Sequence, residues 1–297
     1  MQISEMNLYP IKSLKGISID RSPLEKRGLQ YDRRWMLTDP DGMFLTQREV
    51  PRLATISVSI DVSGVRVGKD GFEPLDIPFE PDLGDRIQVT VWNSQLIGEA
   101  YRGKVSEWFS EVIKRSCKLV RMPDHAKRHL SSPFDSGSDV VSFADDFPLL
   151  LIGEASLYEL NERIVNSNGS EQNESGEGTG GRLQMNRFRP NLVVSGTASF
   201  EEDNWARVRI GEVEFRVAKS CARCVVTTID QVKGESGGKE PLKTLATFRK
   251  AKDIFPESFE GFGFGPNDVL FGENLIPELD GGTIAVGDEI AVLERRH

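Results

Sequence analysis

The chain has 297 residues, 38% of them apolar and 8% aromatic, and a net charge of −9. That length is long for one hydrophobic core and comfortable for two. The acidic balance excludes general nucleic-acid binding, which needs a basic face, but leaves room for a local basic pocket.

In chain order, residues 3–60 read as short strands and turns. Asp39-Pro-Asp-Gly42 lies between Arg34-Trp-Met-Leu-Thr38 and Met43-Phe-Leu-Thr-Gln47, a strong hairpin signal. Leu53 to Ile60 reads as an alternating strand with Ile56, Val58 and Ile60 on one face. Val65-Arg-Val67, Asp70-Gly71 and Ile87-Gln-Val-Thr-Val91 continue the pattern, so the first third is predicted to be a small barrel or sandwich. Lys104 to Lys114 puts Val105, Trp108, Phe109 and Val112 on one helical stripe, and Cys117-Lys-Leu-Val120 follows as a strand. Residues 122–139 cluster Pro, Asp, Ser and Gly and read as a loop. A second helix starts near Gly153, with Leu157, Leu160 and Ile164 together. Residues 166–181 hold no apolar side chain and are predicted to be a disordered surface loop. Val208 to Phe215 reads as two strand pieces about a turn, Pro241 to Lys250 as a third helix, and Thr283 to Leu293 as strand, turn, strand. The predicted fold class is mostly β (α+β), with a few packed helices.

The N-terminal stretch, Met1-Gln-Ile-Ser-Glu-Met-Asn-Leu-Tyr-Pro10, lacks the basic head and apolar run of a signal peptide, and no membrane span is visible. Three cysteines are too few for a disulfide framework and fit a reducing, cytoplasmic compartment. Two of them form Cys221-Ala-Arg-Cys224, running into Val225-Val-Thr-Thr-Ile229, a β-branched run that reads as a strand. Four readings stand open for this pair. A structural zinc site needs four ligands, and the chain offers only His125, His129, His297 and Cys117 besides. A redox dithiol normally sits at a helix start, not before strand sequence. Two small buried residues without chemistry is the commonest fate of intracellular cysteines. The fourth reading is a single thiolate ligand to a soft metal centre carried by a cofactor.

That fourth reading asks for anion-binding groups. Lys12 and Ser13 lie in a Pro10-Ile-Lys-Ser-Leu-Lys-Gly16 turn, Arg33 and Arg34 follow Tyr31-Asp32, and Arg187 and Arg189 flank Phe188 before Asn191. Lys, Ser and Arg together make a phosphate cradle, with arginine giving the bidentate contact. Singly, each is a solvated surface charge.

These residues make the chain resemble the MOSC-domain molybdenum enzymes, in particular the mitochondrial amidoxime-reducing component and its bacterial relatives. The resemblance runs over nearly the whole chain. It rests on Tyr9-Pro-Ile-Lys-Ser13, Tyr31-Asp-Arg-Arg-Trp35, Leu45-Thr-Gln-Arg48, Gly153-Glu-Ala-Ser-Leu157, Arg187-Phe-Arg-Pro-Asn191 and Cys221-Ala-Arg-Cys-Val-Val-Thr-Thr228, then Glu240-Pro-Leu-Lys-Thr-Leu245 and Phe271-Gly-Glu-Asn274. It implies a MOSC-type β-barrel domain made of residues 1–34 with 136–297, and a second β-rich domain of the MOSC N-terminal type over 35–135. It implies a molybdenum cofactor (Mo-molybdopterin), with Cys224 the molybdenum ligand and Cys221 its neighbour. Lys12, Ser13 and Arg33 would hold the terminal phosphate, while Arg187, Arg189 and Asn191 would line the pocket. Asp230 is a candidate for proton handling, or simply the start of the turn Asp230-Gln-Val-Lys-Gly234. The family is also linked to pyridoxal phosphate binding.

The implied activity is two-electron reduction of a small N-hydroxylated or N-oxide substrate, the alternative being a non-catalytic cofactor carrier or a sulfuration-related binding protein. Some bacterial relatives carry a C-terminal iron–sulfur domain. This chain has no cysteine after Cys224, so a separate electron-donor protein or flavin reductase is expected. No nucleic-acid or membrane partner is expected.

Overall fold

The computed structural model describes residues 1–82, 85–130, 133–168, 182–278 and 281–296. As expected, it is mostly β, and the largest sheet curls into a half-barrel. That sheet has eight strands in the order Ile17–Ser18, Gln2–Leu8, Leu192–Ser195, Leu149–Gly153, Leu270–Pro277, Val213–Ala222, Trp205–Ile210 and Ile290–Arg295. The first strand of the chain is hydrogen-bonded inside it, with Met6 opposite Leu192 and Ile3 opposite Val194. Within this sheet Leu149–Gly153 and Leu192–Ser195 pair in parallel, and the helix Glu154–Asn168 lies in the connection between them. A parallel pair needs such a crossover. Leu149-Leu-Leu-Ile152 is accordingly a continuous apolar run, since a helix covers the face that would otherwise meet water. Leu157, Leu160 and Ile164 of that helix pack on Phe188, Leu245 and Phe271.

A second core belongs to the N-terminal region. A four-stranded sheet in the order Trp35–Thr38, Lys118–Arg121, Ser94–Ala100, Asp85–Val91 shares its interior with the meander Ser57–Ile60, Gly64–Lys69, Phe72–Pro78. Helix Lys104–Ile113 buries Phe109, Val112 and Ile113 there, with Val105 and Trp108 packed at the margin. Cys117 is buried in the same core.

Several boundaries differ from expectation. Asp39-Pro-Asp-Gly42 does turn the chain, but its return arm forms isolated bridges, Thr38 to Phe44 and Met43 to Thr90, rather than a strand. Pro51–Thr55 is a 3-10 turn opened by the proline, so the strand expected from Leu53 begins only at Ser57. The helix expected over 241–250 is limited to Leu242–Leu245. Helix Glu154–Asn168 runs through Asn166 and Ser167, so the loop predicted over 166–181 loses its first three positions to the helix; from 169 to 181 it lies outside the described residues.

The strand expected after Cys224 is a 3-10 turn, Val225–Thr228, and pairing resumes only at Ile229–Asp230. The hydroxyls of Thr227 and Thr228 donate to the carbonyls of Cys224 and Val225, at 2.9 and 2.8 Å. These local bonds outweigh β propensity, which is a weak preference for a pleated, half-buried surface.

Behind the half-barrel sits a buried polar cluster. Arg249 holds Asp203 with two hydrogen bonds of 2.6 and 3.0 Å, and Arg296 donates to Glu273 at 2.9 Å. Ser220 donates to the other Glu273 oxygen. Burial lifts the Glu273 carboxyl to about 8, outweighing the Arg296 charge and the Ser220 hydrogen bond. The folded chain then keeps a proton that the unfolded chain, with a carboxyl pKa near 4.5, has released. The associated stability is complete below that unfolded value and is lost as pH rises towards 8. Glu273→Gln should therefore make the melting temperature fall less steeply with pH across this window. Parallel profiles for the two chains would show that Glu273 does not titrate there.

Candidate functional site

A cavity of about 370 Å³ opens where the two cores meet. Its walls bring together seven of the residues singled out from the sequence: Lys12, Ser13, Arg33, Arg189, Asn191, Cys221 and Cys224. Arg187 and Asp230 are not on that wall. They are buried behind the Cys224 turn, where Arg187 donates to the Thr228 carbonyl at 3.1 Å. Asp230 accepts from the Val232 and Lys233 amides at 2.8 and 2.9 Å, the behaviour of a turn-starting aspartate. Proton handling by Asp230 at this cavity is thus not supported by its position.

Tyr9 organises the cationic side. Its ring packs so closely over Gly16 that a Cβ there would come within 2.4 Å of a ring carbon. The guanidinium groups of Arg33 and Arg189 each stack on this ring, with Cζ 4.3 Å from its centroid. Arg33 is tied to Asp32, to Asn191 Oδ1 at 3.0 Å and to the Arg189 carbonyl at 3.3 Å. Asn191 also accepts from the Leu150 amide and donates to the Asn7 carbonyl, both at 3.2 Å, so it pins the parallel strands to the cradle. Arg189 reaches the Leu14 carbonyl at 2.7 Å. Burial lowers its pKa to about 10 despite the Tyr9 side chain beside it, which leaves the group charged at neutral pH. Lys12 donates to the Phe143 carbonyl at 2.8 Å and to Asp145 at 2.5 Å. Burial lowers the Lys12 pKa against the pull of Asp145. At Asp145, partial desolvation acts upward, but the Lys12 charge and hydrogen bonds from Lys12 and Trp92 hold the carboxyl well below the usual carboxylate range.

The thiols lie across the same cavity. Cys221 is near the end of strand Val213–Ala222, and its Sγ accepts from Arg223 at 3.0 Å. Burial pushes its pKa up, against the Arg223 charge. Cys224 caps the following 3-10 turn, and its Sγ accepts from Arg48 at 3.1 Å. Arg48 in turn stacks on Trp92 at 4.7 Å. Arg48, Trp92, Asp145, Lys219 and Arg223 line the cavity and were not singled out as site residues from the sequence. Arg48 and Arg223 stood within recognised motifs, Leu45-Thr-Gln-Arg48 and Cys221-Ala-Arg-Cys224.

Two features mark this cavity as built for a ligand. Four of the seven non-glycine residues with left-handed backbones among the described residues line it: Ser13 (φ 69°), Arg33 (48°), Trp92 (53°) and Arg189 (56°). Such conformations cost roughly 1–3 kcal/mol each and gather at ligand clamps. Six cationic side chains face two carboxylates, Asp145 and Asp146, in a chain whose net charge is −9. Even with Asp32 behind Arg33, positive charge is in excess, and an anion would neutralise it. Among the described residues no three His, Cys, Asp or Glu side chains converge on a metal position, so the zinc reading finds no ligand set. A soft metal held at Cys224 would have to bring its other donors with it, together with negative charge.

Residues 1–116 match the MOSC N-terminal beta barrel domain, and residues 138–291 match the MOSC domain. The chain is 31% identical over 301 residues to mitochondrial amidoxime-reducing component 1 of Mus musculus, covering 98% of this chain and 82% of that one. It is 33% identical over 299 residues to mitochondrial amidoxime reducing component 2 of Rattus norvegicus, covering 97% and 82%. It is also 33% identical over 306 residues to molybdenum cofactor sulfurase of Oryza sativa subsp. japonica; there it covers 98% of this chain but 35% of the relative, about a third of that protein's length. No helix among the described residues is long and apolar enough to cross a membrane. Two domain matches in sequence order, and a third of all positions shared with full-length relatives, establish that the chain belongs to the MOSC-domain family, with a MOSC N-terminal beta barrel domain ahead of the MOSC domain.

Proposed function

We propose that this protein is an oxidoreductase that binds a molybdenum–pyranopterin cofactor and reduces small N-hydroxylated or N-oxide compounds by two electrons. The observation that carries the reading is that one cavity holds both the Cys224 thiol, which accepts from Arg48 at 3.1 Å, and a lysine–serine–arginine cradle. The donor set suits a group that is anionic and brings its own sulfur ligands. When bound, that group supplies the two-electron couple and an oxygen-accepting metal position.

The chain's own residues have separable tasks. Lys12, Ser13, Arg33 and Arg189 bind the terminal phosphate end, with Tyr9 and Asn191 holding the two arginines in place. Cys224 Sγ is the metal ligand, and Arg48 orients it. Cys221 keeps its proton on Sγ at neutral pH, because burial raises its pKa, and stands beside the ligand. Phe147 and Phe188 exclude water from the cavity wall. Removing oxygen from an N–OH group consumes two electrons and two protons and releases water. The electrons come from a separate donor protein or flavin reductase. We further propose that residues 1–34 work with 136–297 as the cofactor-binding unit around 35–135, a division supported by the pairing of Gln2–Leu8 with Leu192–Ser195. Likeness to the sulfurase favours a second reading, a cofactor carrier without turnover.

Metal and pterin analysis of protein made in a host that synthesises the cofactor tests the binding claim. Molybdenum and pterin are expected in near-equal amounts, and their absence would refute both readings. A reduced-dye assay with an N-hydroxylated base separates enzyme from carrier, since only the enzyme oxidises the dye. Cys224→Ser should lose its molybdenum while Cys221→Ser retains most of it. Turnover that survives the first change and disappears with the second would reverse the ligand assignment. Arg189→Ala removes one buried, charge-assisted contact and should weaken pterin retention by about one to two orders of magnitude. Unchanged retention during dialysis would place the phosphate elsewhere.

A further inference from the structure

Trp92 is unexpected where it stands. Strands Asp85–Val91 and Ser94–Ala100 are joined by a two-residue loop, Trp92-Asn93, and Trp92 takes a left-handed φ of 53° at the first loop position. Glycine is the usual occupant of such a position, because a Cβ is disfavoured there. The ring gains no full burial in exchange, being 41% exposed. The other three tryptophans behave differently: Trp35 and Trp205 are buried, and Trp108 packs edge-on against Phe109 with its indole N–H on the Glu73 carbonyl.

The hairpin tip is nevertheless held over the cavity mouth by three contacts. Phe44 packs against the Trp92 ring at 5.1 Å, and Arg48 stacks on it at 4.7 Å. The indole Nε1 donates to Asp145 at 3.1 Å, and Asp145 is the carboxylate that holds Lys12. Since Arg48 also donates to Cys224 Sγ, the indole stands one guanidinium group away from the thiol. Beside it, the Asp145 side chain is 56% exposed, and Asp146 lines the same rim. A partly exposed indole recognises flat, delocalised π systems by stacking, and Asp146 on the same rim offers a carboxylate to the N–H groups of a nitrogen base.

We propose that Trp92 is the specificity-determining wall of the substrate entrance, favouring N-oxygenated bases that carry an aromatic or otherwise flat π group over small aliphatic ones. This rests on the reductase reading. The stacked group lies against Trp92 at the rim, and the N–O end points inwards to Cys224.

Two measurements test this. In the reduced-dye assay, Trp92→Ala should lower the ratio of kcat/KM for benzamidoxime to that for acetamidoxime by about tenfold, whereas Trp92→Phe, which keeps a ring but loses the bond to Asp145, should keep most of the preference. A purely structural Trp92 would lower both substrates alike in either variant and leave the ratio unchanged, which would overturn the proposal. Independently of turnover, benzamidoxime should quench indole fluorescence of the purified chain more than acetamidoxime does, and Trp92→Phe should abolish that difference. Quenching that persists in Trp92→Phe would also overturn it. Where benzamidoxime quenches Trp92 but neither compound is turned over, the wall stands and the reductase reading falls.

Discussion

The site depends on one aromatic ring placed between two cations. Arg33 and Arg189 repel each other, and both lie in a cavity wall where water cannot fully screen them. Tyr9 presents a π face to each, and Gly16 leaves the room the ring needs. Asp32 is bonded directly to Arg33, whereas Arg189 meets a carbonyl oxygen and an aromatic face. Burial alone would make such an arrangement unfavourable, and the lowered pKa of Arg189 expresses that tension. An anion entering the cavity would relieve it. Ser13, Arg33 and Arg189 carry left-handed backbones in this same wall, conformations that persist only where the surrounding structure holds them.

Much of the fold was legible in the sequence because it rests on period and turn chemistry. The stripe Leu157, Leu160 and Ile164 announces the helix that packs on the half-barrel. The failures occurred where local hydrogen bonds overrule side-chain shape. Val225-Val-Thr-Thr228 has strand composition, but the two threonine hydroxyls close a tight turn on their own backbone. Pro51 has the same effect at the start of Pro51–Thr55.

The cradle was legible for a different reason. Lys12, Ser13, Arg33 and Arg189 are unremarkable singly, and no periodicity links positions so far apart. A shared set of motifs in matching order brought them forward, and the cavity gathers them. Arg48 lay inside a recognised motif without being assigned a role, and Trp92 and Asp145 escaped because each carries its chemistry alone in otherwise ordinary sequence. Trp92 sits in a hairpin tip, where a loop residue gives no pattern, and Asp145 lies in a loop beyond Val140–Val141. Arg187 and Asp230 stand apart from the cavity, and Asp230 starts the turn that the sequence offered as its alternative role. Their motif neighbours line the cavity, but their own side chains turn away to brace the Cys224 turn.

The two thiols, equivalent in the sequence, differ in which part of the chain supports them. Cys221 takes its arginine from two residues away, so its environment is complete once its own strand and turn have formed. Cys224 takes its arginine from residue 48, and that guanidinium is held in turn by Trp92 from the neighbouring hairpin. Lys12 is likewise joined to Trp92 through Asp145. The contacts around Cys224 therefore form only when the N-terminal sheets have docked on the half-barrel. A ligand that engages both the cradle and Cys224 would stabilise that docked arrangement by mass action. This links binding at Cys224 to the assembly of the whole chain, whereas Cys221 has no such dependence.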